Sequence, residues 1–378
     1  MQIEQSIWTA NDGWKTIKSL NLSSKANLVL VFGTIDEIGN KQHFTDIRIK
    51  YPNANILLCS TAGEIVDNRV EDDSIIVTAI YFEKTRLEFF KIKIDEDINS
   101  YQCGEIIASN LVSNDLKHVL VLSDGFKVNG DELVEALNNN CPKSVLITGG
   151  LAADNGKFNE TLVGLNEPPT SRNIVAVGFC GDDILISHGS QSGWDEFGPT
   201  RIVTKSTGNI LFELDGKNAL ELYKTYLGDK ADELPGSALL FPLAVYGEDG
   251  KTIVRTIISI DEKMGSMTFA GDIPINATVR FMMANFDRVI DGAYDAAKDS
   301  LIQSNNRRPS LVLMVSCVGR KLVLGQRIDE EIECVKEIFG EDVIYAGFYS
   351  NGEISPVLNS SKCSLHNQTM TITTYAEK

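Results

Sequence analysis

The stretch "NILLCSTAGEI", Asn55 to Ile65, decides how the rest of the chain is read. Its first half is an apolar run of the kind that fills a strand covered on both faces. Its second half turns abruptly to small hydroxylic residues, a glycine and one glutamate. The same change ends "DVIYAGFYSNGEI", Asp342 to Ile354, and recurs in variant form in "SVLITGGLAADNG", Ser144 to Gly156. Each copy is preceded by another apolar strand. These are "NLVLVFG" from Asn27, "HVLVLSDG" from His118 and "SLVLMVSCVGR" from Ser310; "DELVEALNNN" and "DEEIECVKEIFG" supply helices in the second and third copies. In the third helix Ile328, Ile332, Val335 and Phe339 fall on one face at helical spacing. Three strand–helix–strand units predict parallel pairs with right-handed crossovers. Ligands in such sheets sit beyond the carboxyl ends of the strands. The plainer alternative is three independent units whose polar endings are only turns.

Alternating segments, among them "SIIVTAIYF", "RLEFFKIKI", "TIVRTIISI" and "QTMTITTY", predict antiparallel strands and hairpins. The expected class is therefore α/β with mixed sheets, in two domains. The Gly- and Ser-rich "GSQSGWDEFGPT" marks a boundary that divides the chain into 1–195 and 196–378. Beyond it, "GKNALELYKTYLG" predicts a helix with Asp215 as N-cap and Gly228 as its stop. "NFDRVIDGAYDAAKDSLIQS" predicts another, with Phe286, Ile290, Ala293, Ala297 and Leu301 on its packed face.

The 378 residues carry a net charge of -17, which argues against nucleic-acid binding through phosphate neutralisation. No basic and apolar leader opens the sequence, and no apolar run reaches the ~18 residues of a membrane span, so a cytoplasmic protein without membrane insertion is expected. Seven cysteines without a C-x-x-C pair predict buried thiols rather than a disulfide or zinc framework.

Candidate ligand contacts lie at the strand ends. Ser60 and Thr61 offer hydroxyls, Gly63 allows close backbone approach, and Glu64 accepts from an ammonium. Gly352 and Glu353 repeat that ending, so that the two carboxylates would flank one cleft. Gly149 and Gly150 present backbone amides, and Arg320 could grip a carboxylate in bidentate fashion. His366, in "SLHNQTMTI", joins a dense polar group. His188 and His366 are each either a hydrogen-bonded structural histidine or an axial ligand to haem iron, which needs one imidazole and an apolar pocket. An enzyme using Cys59 or Ser60 as nucleophile, and a ligand-free interaction adaptor, are the competing readings.

Taken together, "CSTAGEI", "GGLAADNG", "GWDEFGP", "GNILFELDGKNALELYKTYLG", "FYSNGEI" and "LHNQTMTI" resemble the FIST family of sensory domains, in family order across nearly the whole chain. The resemblance implies an N-terminal and a C-terminal FIST domain in tandem, without catalytic activity, that bind a small molecule such as an amino acid. It also implies a signalling partner. A stand-alone chain of this size is similar to a subgroup regarded as haem-binding nitric oxide sensors that act on a histidine kinase or on cyclic di-GMP signalling. In that subgroup His188 or His366 would be the proximal ligand.

Overall fold

The computed structural model describes residues 1–157, 159–247, 252–356 and 362–378. Three of its four sheets are built to one plan. In each, the two apolar strands of a unit lie parallel: Leu28–Gly33 with Asn55–Ser60, Leu116–Ser123 with Leu146–Leu151, and Leu311–Cys317 with Ile344–Ser350. An antiparallel strand then covers the first of the pair: Ser74–Tyr81, Asn173–Cys180 and Met370–Glu377 respectively. A leading strand continues each sheet outward: Gln2–Thr9, Arg86–Lys93 and Ile184–Gln191. The class is mixed α/β, as the alternation of apolar runs and period-two segments requires.

The units are not independent, because each gives the short strand after its polar corner to a neighbour. Glu64–Val66 of the first unit pairs with Ile344–Ser350 of the third. Gly352–Pro356 of the third pairs with Leu146–Leu151 of the second. Val163–Leu165 of the second pairs with Asn55–Ser60 of the first. Three backbone hydrogen bonds repeat the cycle at the corners: Ala62 N–H to the Tyr349 carbonyl at 2.9 Å, Asn351 N–H to Leu151 at 3.1 Å, and Ala153 N–H to Ser60 at 2.9 Å. The inner faces of the three sheets share one core, to which Phe32, Leu57, Leu122, Val177, Val315 and Phe348 contribute. Phe32 and Phe348 stack there with centroids 4.6 Å apart. Removing any one unit would break two of the three strand exchanges and expose part of this common core.

Outer cores lie between each sheet and its helices. The helix Phe286–Gln303 buries Val289, Gly292, Ala293, Ala296 and Ala297. Its packed face is rotated from the expected one, since Phe286 is exposed. The small residues admit the strand Ile184–Gln191, and a Cβ on Gly189 would collide with the Ala296 carbonyl. The helix Ala219–Leu227 is capped by the Asn218 side chain, which accepts from Glu221 N–H at 2.9 Å. Asp215, expected at that position, lies in the preceding turn and accepts from Ile202 N–H instead.

Residues 195–283 interrupt the third unit after its leading strand and form the fourth sheet with its own core around Tyr223, Phe269 and Phe281. The division expected at 195/196 coincides with the start of the strand Asp195–Thr207. Strands from both sides of that division share two of the three ring sheets.

Two attachments hold the inserted sheet to the ring. Trp194, Val254, Met282, Val289, Val323 and Leu324 form an apolar seam with the third unit. The buried Arg255 crosses to the second unit, donating to Asp131 at 2.8 Å and to the Leu365 carbonyl at 2.8 Å. The other Asp131 oxygen accepts from Asp272 N–H at 2.8 Å. Asp131 lies in the first turn of the helix Gly130–Asn140, where its charge also meets the positive end of the helix dipole.

Candidate functional site

The corner sequence positions its carboxylates inward. Glu64 is fully buried and accepts from the hydroxyls of Thr61 and Ser74, the latter at 2.6 Å. Glu353 is fully buried and accepts from Ser350 Oγ at 2.8 Å, and from both Thr369 Oγ1 at 2.8 Å and Thr369 N–H at 3.2 Å. In each corner one donor lies three residues before the glutamate and another lies at the start of the strand that closes the unit. Burial pushes both carboxyls up to about 8 despite these donors. The expectation that the two glutamates flank a common cleft is corrected: neither lines a described cavity.

The other expected contacts also have internal partners. Ser60 Oγ donates to the Ala153 carbonyl at 2.8 Å and accepts from Leu162 N–H at 2.9 Å, which ties the first corner to the second unit. Gly63 lies under the Lys321 ammonium, 2.6 Å from where a Cβ would stand. Gly149 lets its strand pass over Val121, and Gly150 fits under Val315. Gly352 begins the strand given to the second unit. Arg320 is fully buried in the short helix Val318–Leu324. Its guanidinium is spent on Glu331 at 2.7 Å and on the carbonyls of Ser192 and Val289, each at 2.6 Å. It organises the third unit rather than facing a ligand carboxylate.

His366 Nε2 is 3.0 Å from the Ser355 carbonyl. His188 Nε2 is buried and without a partner, which leaves one imidazole nitrogen free. Burial lowers both imidazoles to about 4, so both are neutral near pH 7. Neither histidine lines a described cavity. A haem would need an apolar pocket beside its ligand, and none of the described cavities supplies one at His188 or His366. Cys59 belongs to the common core, and burial pushes its thiol well above the ordinary range, opposite to the activation a nucleophile needs.

A cavity of about 660 Å³ lies elsewhere at the strand ends, between the ring and the inserted sheet. The ring side begins where Leu116–Ser123 ends. Asp124 is buried and gathers Phe126 N–H, Lys127 N–H, Thr161 Oγ1 and Arg172 N–H, thereby folding the loop Gly125–Gly130 into the cavity wall. Cys317, Val318 and Gly319 bring in the end of the third unit's first strand, and Asn351 the end of its second. From the inserted sheet come Asn209, Gly236, Thr256, Ile258, Phe269 and Asp272. Burial raises the Asp272 carboxyl, and Asp131 adds to the effect. The expected neighbourhood, beyond the carboxyl ends of parallel strands, is thus where the cavity lies. None of the expected site residues lines it.

Among the lining residues, Asn351 stands inside a quoted stretch, one position before Gly352. Both atoms of its side-chain amide are out of solvent contact and without a hydrogen-bond partner. The Thr256 hydroxyl is in the same condition. Atoms out of solvent contact are not reached from the cavity, and Gln368, outside the cavity wall, carries an equally unpaired amide, so it is the cavity's position and volume that mark it.

The FIST N domain family model matches residues 27–217, and the FIST C domain family model matches residues 219–356. The chain belongs to the FIST family. A protein of Methanocaldococcus jannaschii, the uncharacterized protein MJ1623, is 21% identical over 370 residues, covering 88% of this chain and 67% of its own length. FIST domains are sensory domains that bind small ligands in signal transduction. The two FIST regions meet inside the inserted sheet, just before the helix Ala219–Leu227. The cavity is lined from both: Gly125–Gly130 and Asn209 belong to FIST N, and Thr256, Phe269 and Asn351 to FIST C. No helix among the described residues is long and apolar enough to cross a membrane.

Proposed function

We propose that this FIST-family chain is a non-catalytic sensor that takes a small molecule into the cleft between the ring and the inserted sheet. It would pass its occupancy to a partner signalling protein such as a histidine kinase or a cyclic di-GMP enzyme. The observation that supports this reading is the cleft itself. Its volume is in the range of small-molecule sites, roughly 300–1,000 Å³, and it lies at a junction between two separately packed bodies. A ligand held between the exposed Leu322 on the ring side and the exposed Ile258 on the inserted sheet would fix the position of the inserted sheet relative to the ring. Binding would thereby bias a contact surface without chemistry at the site.

Gly236 lines the cleft, and a Cβ built on it meets nothing within 4 Å. Gly236→Trp should therefore fill the cleft while leaving the fold intact. In a thermal-shift screen with a metabolite library, a true ligand at about 100 times its Kd stabilises the wild-type chain by about 2.7 kcal/mol. The same compound should leave the variant unmoved. A library without a single responder, or a responder that shifts both proteins equally, would defeat the proposal.

A further inference from the structure

The fold leaves the Asp272 carboxylate, on the cleft wall, without a partner. The backbone of Asp272 is held on both sides: its N–H donates to Asp131 Oδ2 at 2.8 Å, and its carbonyl accepts from Arg255 Nε at 3.2 Å. Its side chain is part-exposed and lines the cavity. Among the described residues, no group donates to its carboxylate oxygens and no cation forms a salt bridge with them. The nearby Arg255 guanidinium is already engaged by Asp131 and the Leu365 carbonyl. Burial disfavours the ionised form of Asp272, and Asp131, Glu132 and Glu135 of the helix Gly130–Asn140 add to that, with Arg255 opposing them. The exposed Lys127 also lines the cavity, but those four charges act most strongly on Asp272. A partly desolvated carboxylate that bonds to nothing in the protein is a cost to folding until a cation meets it. A ligand ammonium would supply both the donor and the counter-charge. The rest of the reachable wall suits a hydrocarbon body: Ile258 and Leu322 are exposed there, and Phe126 and Leu239 are part-exposed. A carboxylate on the ligand beside its ammonium would face the like charges of Asp131, Glu132 and Glu135.

We propose that the cleft takes an organic amine, an ammonium on an apolar body with no carboxylate beside the charge, and that Asp272 is its counter-ion. This rests on the reading of the cleft as the ligand site. The ion pair then selects against anions, the neighbouring carboxylates select against amino acids, and Ile258 and Leu322 hold the apolar body.

The test is calorimetric titration of the full chain with tryptamine and phenethylamine, with tryptophan and phenylalanine, which carry a carboxylate beside the same ammonium, and with indolepropanoate, which has a carboxylate and no ammonium. An amine is expected to bind, and its amino acid and the anion should each bind about tenfold or more weaker. Asp272→Asn keeps the shape and the backbone bonds of Asp272. It should weaken the amine about tenfold or more, the worth of one charge-assisted hydrogen bond. It should also leave the Tm of the ligand-free chain unchanged or higher, because the carboxylate has no internal partner to lose. The proposal is overturned if neither amine binds, if Asp272→Asn binds the amine as the wild type does, or if that variant lowers the ligand-free Tm as the loss of a structural bond would. Tryptophan, phenylalanine or indolepropanoate binding as tightly as the amines, and no longer doing so in Gly236→Trp, would overturn the ligand class and leave the cleft standing. Amine binding that Gly236→Trp does not change would bring down the cleft reading as well.

Discussion

The first and third corners share an ending in sequence and a hydrogen-bonding scheme in space, yet only one of them borders the cleft. Glu64 and Glu353 are both buried, both served by a hydroxyl three residues earlier, and both pushed up to about 8. Over the first corner, Lys321 reaches across to the Ala62 carbonyl at 2.7 Å and to Asp72, and its ammonium covers Gly63. The third corner has Asn351 beside Gly125 and the cavity. The Gly-Glu-Ile ending is therefore a folding device that locks the turn from which a strand crosses to the next unit. What covers the corner decides whether a molecule can enter.

The largest expected effect tests whether the third corner depends on the ion pair behind it. Glu331 also accepts from Tyr349 and from Ser316, the latter at 3.2 Å, so it joins both strands of the third unit to Arg320. Glu331→Gln leaves the buried guanidinium without its counter-charge and should cost about 3–5 kcal/mol in urea unfolding. A loss below about 1 kcal/mol would show that the pair does not organise this end of the cleft.

A smaller effect is expected at the latch between ring and inserted sheet. Gly271 lies against it, and a Cβ there would be 2.7 Å from the Arg255 guanidinium carbon and 2.9 Å from Asp131 Oδ2. Gly271→Ala should force the two apart and cost about 1–3 kcal/mol, with faster amide exchange at the hydrogen-bonded Asp272 N–H. Unchanged exchange there would mean that the sheet is held by its apolar seam alone.

The two glutamates sharpen the comparison through pH. Their carboxyls titrate near 4.5 when unfolded and near 8 when folded, so folding favours the protonated forms. Their contribution is fully present below about pH 4.5 and is lost as pH rises through 8. Glu64→Gln combined with Glu353→Gln mimics the protonated pair. It should flatten that part of the stability–pH curve while changing stability at pH 5 only slightly. Equal pH slopes in the variant and the wild type would refute the protonated assignment.

Much of this fold is legible in the residues. Continuous Val, Leu and Ile runs marked the parallel pairs, and the 3.6-residue spacing of Ile332, Val335 and Phe339 marked the helix that covers the third. The exchange of strands was not legible, because Glu64–Val66 and Val163–Leu165 are three residues long and carry no local sign of a distant partner. Arg320 was misplaced for a related reason. Its counter-ion stands in the run "DEEIE", where nothing local distinguishes buried Glu331 from its solvated neighbours. The cleft needed the inserted sheet, whose Thr256 and Asp272 follow no motif. Asn351 stands at a strand's carboxyl end two positions before Glu353, whose charge is the stronger chemical signal in the sequence.

The central claim is that this cleft, and not the buried acidic corners, holds the sensed molecule. Native mass spectrometry of the purified chain, incubated with the metabolite library used for the thermal screen, tests it directly. The account predicts a noncovalent small-molecule adduct on the wild type and on the Glu64→Gln, Glu353→Gln variant, and none on Gly236→Trp. An adduct that survives Gly236→Trp and disappears with the two glutamates would contradict it.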